Sequence, residues 1–497
     1  MSKFFSPRIN SRYLSFLLKH NRKMIIVLTL LFSYFIPFTF YTTNRHIQYE
    51  FSTYTYVYAP FIVGTIIFIL LSVIIPCILM SFIMDRSKMD TYQTLPIRKQ
   101  DFFLNHFIEA LLVLLIPISI AWIAGIVVGY AMFPYEFDVM TWLLNLVKIY
   151  LFAPLLIGIT QFAYVNSGRF FDGILYSGIV HITQFFTFGL ITVLFNERLL
   201  GLHSYLDNRI SSILSPDISF VTWVNGEFNF AVIIWILAGI ALYFVNQHLY
   251  TNRKVENIDD SAVYPWFVPL ITTIVFGLFT AFFFMLFLPY TGIFNSLILP
   301  FVFGLIFYVI MDGIINRGFQ NLYKAIGKYA LISVCAIALI YSSIFTGFFG
   351  LTKQVLSPNQ FDKVLIVTES YGVKFDDDKN RITTKEALSL VDGAKEMEDL
   401  LNRDGYLFFS HLYESEADKE RVVTAHKMVI EDYYSKSNPL QYSRYNIDYV
   451  DGKWHNSTAN NYPTNFHFIY IKDNRVVHRR NYYMYTVILN EFMNPND

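Results

Sequence analysis

The chain has 497 residues, of which 54% are hydrophobic, 18% aromatic and only 15% charged, and its formal net charge is zero. Soluble chains carry about 25% charged residues, so this composition excludes an ordinary water-soluble protein and points to lipid as the main solvent. A zero net charge also excludes a whole-chain field that would draw nucleic acid, and the two cysteines, Cys77 and Cys335, fall in apolar runs where neither can staple an exposed domain.

Residues 1–23 read as a cytoplasmic amphipathic helix. Ile9, Tyr13, Phe16, Leu17 and Leu18 form an apolar stripe at helical spacing, flanked by Arg8, Arg12, Lys19, Arg22 and Lys23. A basic helix of this kind lies in the membrane interface. No small-residue cleavage site follows the first apolar run, so a signal peptide is not expected.

A helix needs about 20 mostly apolar residues to cross the hydrocarbon of a bilayer. Nine stretches qualify: 24–41, 58–84, 106–133, 142–164, 171–195, 230–249, 266–288, 293–315 and 329–350. The seventh and eighth are separated only by Pro289-Tyr290-Thr291-Gly292, which predicts a tight hairpin turn, with one long broken helix as the alternative. Lys and Arg crowd alternate connections: with the N-terminus inside, sixteen fall in inside segments against three in outside ones. The positive-inside pattern therefore predicts a cytoplasmic N-terminus and, after nine spans, an extracytoplasmic C-terminal domain.

Ionisable residues inside spans are functional candidates by default. Glu109, Lys148, Asp172 and Asp312 each lie near a helix end and occur singly, which favours local pairing or snorkelling over a proton relay or substrate path. Pro117 and Pro154 read as helix kinks.

From residue 351 the composition turns polar, and 351–497 has the length of one small α+β domain. A strand is predicted over 361–368. Thr383-Thr384-Lys385-Glu386 and Ser415-Glu416-Ala417-Asp418 read as helix caps. Alternation over 466–471, the turn residues Asp473-Asn474 and a return over 475–483 predict a hairpin. His411, His426, His455, His467 and His478 show no ligand spacing, so no metal site is expected. Ser410-His411 are only sequence neighbours, and Asn456-Ser457-Thr458 matches a glycosylation pattern that is common by chance.

The most informative stretch is the second inside connection, from Asp85 to Phe103. A plain connector needs few residues. This one carries a polar helix, a Leu95-Pro96 break and an amphipathic restart led by Arg98 and Lys99. Pro96 drives Leu95 out of the helical region, which predicts a fixed elbow between two helices.

The pattern Asp90-x-Tyr92-x-x-Leu95-Pro96-x-Arg98 between the second and third spans resembles the permease subunits of bacterial ABC-2-type transporters. The resemblance covers about the first 256 residues. It implies that 24–256 is a six-helix permease core and that Asp90, Tyr92, Leu95, Pro96 and Arg98 form a coupling helix touching a separate nucleotide-binding ATPase subunit. Asn252-Arg253-Lys254-Val255-Glu256 is similar to a basic-acidic stretch of these permeases, although the usual Ala-Gly that follows is absent, and suggests Arg253 and Glu256 as a second cytoplasmic contact. Three additional spans (257–350) and the outer domain resemble a Gram-positive subgroup. The implied chain is a permease in the bacterial cell membrane that works with a second permease, as a homodimer or with a related subunit. It would export an amphipathic compound, a peptide antibiotic or a lipid-like cargo.

No phosphate-binding loop occurs in the sequence, so ATP would be bound by the partner and the chain itself is expected to be neither an enzyme nor a cofactor binder. Two other classes compete: a membrane-anchored sensor whose outer domain detects a ligand, and a membrane enzyme. The second would need clustered Asp, Glu, His or Ser near one membrane face, and the sequence shows none.

Overall fold

The structure is a computed structural model of the chain, described for residues 8–46, 53–132, 137–195, 210–224, 228–254, 256, 258–319, 322–370, 380–383, 386–387, 390, 407–436, 449–450, 453–454, 463–473 and 475–485. It is mostly helical, with one small antiparallel sheet domain. The chain divides into two compact units, 1–188 with 209–278 and 306–329, and 189–208 with 279–305 and 330–497.

In the first unit, α1 (Ser11–His20) precedes the long helices α2 (Arg22–His46), α3 (Thr53–Leu79), α5 (Lys99–Met132), α6 (Val139–Val165), α7 (Phe170–Val193) and α9 (Ala231–Asn252). Between them lie two short helices, α4 (Arg86–Gln93) and α8 (Pro216–Val224). Two further helices follow, α10 (Phe267–Asn316) and α11 (Leu322–Thr346). Among the described residues, eight helical segments are long and apolar enough to cross a membrane. The chain is therefore a multi-pass helical protein. The nine expected spans each fall on a helix, with 58–84 carried largely by α3.

The predicted hairpin at 289–292 takes an unexpected form. Helical backbone runs unbroken from Phe267 to Asn316, yet the rings of Phe276 and Tyr308 lie 4.9 Å apart, and Phe267 shares a buried cluster with Ile315. A straight helix would separate residues 276 and 308 by about 48 Å. The two halves of α10 are therefore antiparallel and the chain reverses near residue 291. The turn is tight enough to keep helical backbone, so the expected break in secondary structure is absent while the expected reversal is present.

The bundle core is built from Phe32 and Ile36 of α2, Phe68 of α3, Ile118 and Trp122 of α5, Trp142 and Phe152 of α6, and Phe220 of α8. Small residues set the closest approaches, as in membrane bundles generally. A Cβ on Gly239 of α9 would lie 3.1 Å from the Leu155 Cα of α6. The helix α8 is too short to span, yet Asp217, Ser219 and Phe220 are fully buried and it packs on α3, α6 and α9.

The second unit holds the sheet domain. Strands β1 (Lys363–Ser370), β2 (Arg381–Ile382), β3 (Leu407–Tyr413), β6 (Pro463–Lys472) and β7 (Arg475–Tyr485) form one antiparallel sheet in the order β2-β3-β1-β6-β7, and β4 (Tyr449–Val450) pairs with β5 (Lys453–Trp454). The expected strand and hairpin are β1 and β6–β7, and Asp473 takes the left-handed turn conformation at φ 50°. The expected alternation across β6 is present, and both faces are covered. Phe466, Phe468 and Tyr470 pack toward α12 (Glu416–Lys436), and Ile469 and Ile471 join Leu365, Val367 and Ala387 on the other face. Both expected caps are present: Glu386 accepts from the Thr383 backbone N–H at 2.8 Å, and the Asp418 N–H donates to Ser415 Oγ at 3.2 Å. Most of the helix expected after Glu386, His455 and the Asn456-Ser457-Thr458 sequon lie outside the described residues. Ser410 and His411 are buried neighbours on β3, where successive side chains point to opposite faces, so they form no catalytic pair.

Candidate functional site

Three connections that the charge count assigns to one side interlock at one end of the bundle. The first runs from the short 3-10 turn Ser81–Met84 through α4 and the Leu95-Pro96 elbow to α5. Asp85 caps α4 by accepting the Lys88 N–H, which also holds the Asp85 carboxyl below its ordinary pKa. Leu95 N–H bonds Tyr92 O and Ile97 N–H bonds Leu95 O, so the elbow closes on itself.

One side of this segment is an anchor. Met89 is buried, and Tyr92, Leu95 and Ile97 pack on a cluster of Phe82, Phe102, Phe103 and Tyr250. The Tyr92 ring lies 4.8 Å from Phe82 and 5.4 Å from Phe102. The other side is open: Asp90, Pro96 and Arg98 are exposed, as are Ser87, Lys88 and Lys99. Arg98 keeps a loose pair with Asp101 at 3.4 Å. The five residues of the sequence pattern therefore divide, with Tyr92 and Leu95 turned inward against the aromatic cluster and Asp90, Pro96 and Arg98 exposed.

The second and third connections, 165–169 and 253–266, are stapled to the first. Arg86 of α4 donates to Ile258 O at 3.0 Å and pairs with Asp259 at 3.4 Å. Arg169 Nε donates to Asp259 O at 2.6 Å, and the Val263 N–H donates to Asn166 O at 2.8 Å. Arg253 binds all three. It is 3% exposed, and its guanidinium donates to Val165 O at 2.7 Å, Ser167 O at 2.8 Å and Ile83 O at 3.2 Å. Burial lowers its pKa to about 10, so it stays cationic at neutral pH. Arg253, suggested with Glu256 as a second cytoplasmic contact, has three of its guanidinium bonds on carbonyls of its own chain, as a buried charge requires. Glu256 is exposed, as a contact residue requires.

The N-terminal helix docks at the same end. Its expected apolar stripe is split: Leu17 is buried and Tyr13 and Leu18 are half-buried, while Ile9 and Phe16 are each 58% exposed. Residues leading into and along α1 read the start of α5 through hydrogen bonds from Arg8 N to Asp101 (2.7 Å), Asn10 N to Asn105 (3.2 Å) and between Tyr13 and His106 (3.0 Å). Burial raises the Tyr13 pKa, so the phenol stays neutral.

The intramembrane charges are met within the protein, Glu109 and Asp172 by the expected local partners and Lys148 by a carbonyl distant in sequence. Glu109 is 1% exposed and bonds His106 at 2.7 Å and Asn21 at 2.6 Å. Lys148, half-buried, donates to Trp223 O at 2.7 Å. Asp172 pairs with Arg169 at 3.5 Å, and Asp312 is half-buried. Sequence reasoning also missed a fully buried pair, His181 and Asp217, at 2.8 Å. Its members are far apart in sequence, and a neutral histidine adds nothing to a charge count.

No family model, curated protein or solved structure matches this chain. Among the described residues, no group of His, Cys, Asp and Glu could hold a metal ion.

Proposed function

We propose that this chain is the membrane-spanning permease subunit of an ABC exporter, driven by a separate ATPase that docks on the α4 elbow. One observation carries the reading. Three connections that the positive-inside count assigns to one side meet at one end of the bundle, and from that shared base a short helix and elbow present Asp90, Pro96 and Arg98 outward on an aromatic anchor. A stiff, anchored protrusion transmits force between a soluble motor and spans, whereas a connector needs neither the anchor nor the length. On this reading the interlocked end is cytoplasmic in a bacterial cell membrane and the sheet domain is extracytoplasmic. Two ATP-binding subunits would then face two permeases, and the cargo is an amphipathic or lipid-like compound that spans rich in phenylalanine can accommodate.

The test uses Asp90→Lys with Arg98→Glu, which inverts the exposed charges and leaves the buried anchor intact. The intact chain should co-purify with an ATPase from its host and the double variant should lose that association while unfolding like wild type. In a variant lacking Cys77 and Cys335, Ser87→Cys should resist an impermeant thiol reagent in intact cells and Val477→Cys should react. Labelling of Ser87→Cys from outside, or undiminished ATPase association in the charge-inverted chain, would overturn the assignment.

A further inference from the structure

The N-terminal helix has two faces of different chemistry. Tyr13 and Leu17 turn toward the bundle, where Tyr13 meets His106 of α5 and, just past the end of α1, Asn21 meets Glu109 at 2.6 Å. Eight residues of chain thus pass three of α5, so α1 slants across that helix instead of running along it. The opposite face carries a groove of about 440 Å³ lined by Ile9, Leu14, Ser15, Leu18, Lys19 and Arg22 among others. From Leu14 to Arg22 these residues recur at intervals of three and four, which puts them on one side of a helix.

Charge and depth define what this groove takes. From Asn10 to Lys23 the chain carries Arg12, Lys19, Arg22 and Lys23 and no acid. Among the described residues, no carboxylate pairs with any of the four. Arg22, Ile26 and Leu30 stand at i, i+4 and i+8 on α2 and are all exposed. An exposed apolar row on a span faces hydrocarbon, so Arg22 and the groove lie one turn outside it, at the depth of the lipid headgroups. The length of α5 agrees. Its 34 residues reach about 51 Å against about 30 Å of hydrocarbon, and its polar first turns, with Asp101, Asn105 and His106, are the part that α1 and its lead-in bind. A phosphate at Lys19 and Arg22 would direct its acyl chains along Ile26 and Leu30, with Leu14 and Leu18 against the glycerol end. A choline headgroup would add a cation to a site that already has only cations, and a glycerol headgroup adds none.

We propose that the open face of α1 binds an anionic phospholipid of the bilayer, its phosphate held between Lys19 and Arg22 and its chains lying along Ile26 and Leu30 of α2. The lipid supplies the counter-charge that the protein itself does not. This inference is independent of what docks on α4.

The test titrates phosphatidylglycerol into the full-length chain in a neutral detergent while hydrogen exchange of residues 11–22 is followed. Exchange should slow as the lipid binds, and the midpoint gives its affinity. A cation beside an anionic lipid is worth about fivefold in affinity, so Lys19→Gln with Arg22→Gln should raise the midpoint about 25-fold. Each single substitution should raise it about fivefold, which carries the same test should the double variant not fold. Lys19→Arg with Arg22→Lys keeps both charges and should bind like wild type. Lys324→Gln with Lys328→Gln removes equal charge from exposed positions on α11 and should leave the midpoint unmoved. Phosphatidylcholine should protect more weakly than phosphatidylglycerol, and millimolar inorganic phosphate should not displace the lipid. An unmoved midpoint in the glutamine variants, an equal shift in the α11 pair, equal protection by phosphatidylcholine, or displacement by inorganic phosphate would each refute the site.

Discussion

Replacing Arg253 with methionine removes the donors from an end of the bundle that nothing else replaces. Methionine keeps the length and volume of the side-chain stem, so packing is largely conserved while three buried carbonyls, Val165, Ser167 and Ile83, lose their partner. Each buried acceptor left unpaired costs about 1–3 kcal/mol. Against that, the variant no longer buries a guanidinium, whose desolvation costs several kcal/mol. The balance is a net loss of about 2–4 kcal/mol, with Arg253→Lys intermediate because an ammonium can satisfy only part of the set. The loss should be local before it is global, since Ile83 lies just ahead of α4 and Val165 and Ser167 flank the next connection. Thermal unfolding in detergent measures the total, and hydrogen exchange over 81–97 and 165–169 measures the location. If Arg253→Met unfolds with wild type and those segments exchange at wild-type rates, the clamp assigned to Arg253 is wrong.

Gly239→Leu should force α6 and α9 apart, because a Cβ there already meets the Leu155 backbone at 3.1 Å. Overpacking of this kind costs about 1–3 kcal/mol, with Gly239→Ala at the low end, and detergent unfolding curves read the difference. In the sheet domain, His426 is buried between Tyr470 and Tyr482, and burial holds its pKa well below the ordinary value, with the charge of Arg480 second. His478 is pushed down to about 4 by burial first and Arg480 second. Both pKa values are lower folded than unfolded, so the unfolded chain takes up protons first and stability falls as pH drops below about 6.5. His426 alone contributes a slope of about 1.4 kcal/mol per pH unit. Exchange of the β6–β7 hairpin against pH checks this, and a flat profile between about pH 6.5 and about pH 4 would contradict it.

How far these features show in the sequence depends on how local their causes are. Spans, caps and the β6–β7 hairpin each rest on residues within one or two turns, and each is found where the pattern puts it. The reversal of α10 was legible from Pro289 to Gly292, but its helical backbone was not, since Gly and Pro signal a change of direction without fixing the hydrogen bonding through it. The elbow was legible as a shape because Pro96 restricts Leu95. Its division into an anchored side and an open side was not, because Tyr92 is held by Phe82 and Phe102 across a gap that only the fold closes. The burial of Arg253 was hidden for the same reason: a basic residue after a span satisfies the positive-inside pattern whether it faces water or the protein.

The buried ionic pairs form a graded series on this point. His106 precedes Glu109 by three residues, so the two share a helix face and the pair was available to a local reading. His181 and Asp217 are 36 residues apart on different helices, and no periodicity connects them. The local clue lay elsewhere, in a proline. Pro76 strands the Ser72 carbonyl, and a polar residue on a facing helix is needed to relieve it. Thr160 is that residue, and its hydroxyl also lies 3.2 Å from His181, which in turn meets Asp217. Within a membrane, where water is not at hand to satisfy a stray backbone group, a proline in one span constrains the polar residues of the next. It is the local mark from which a distant pair can be sought.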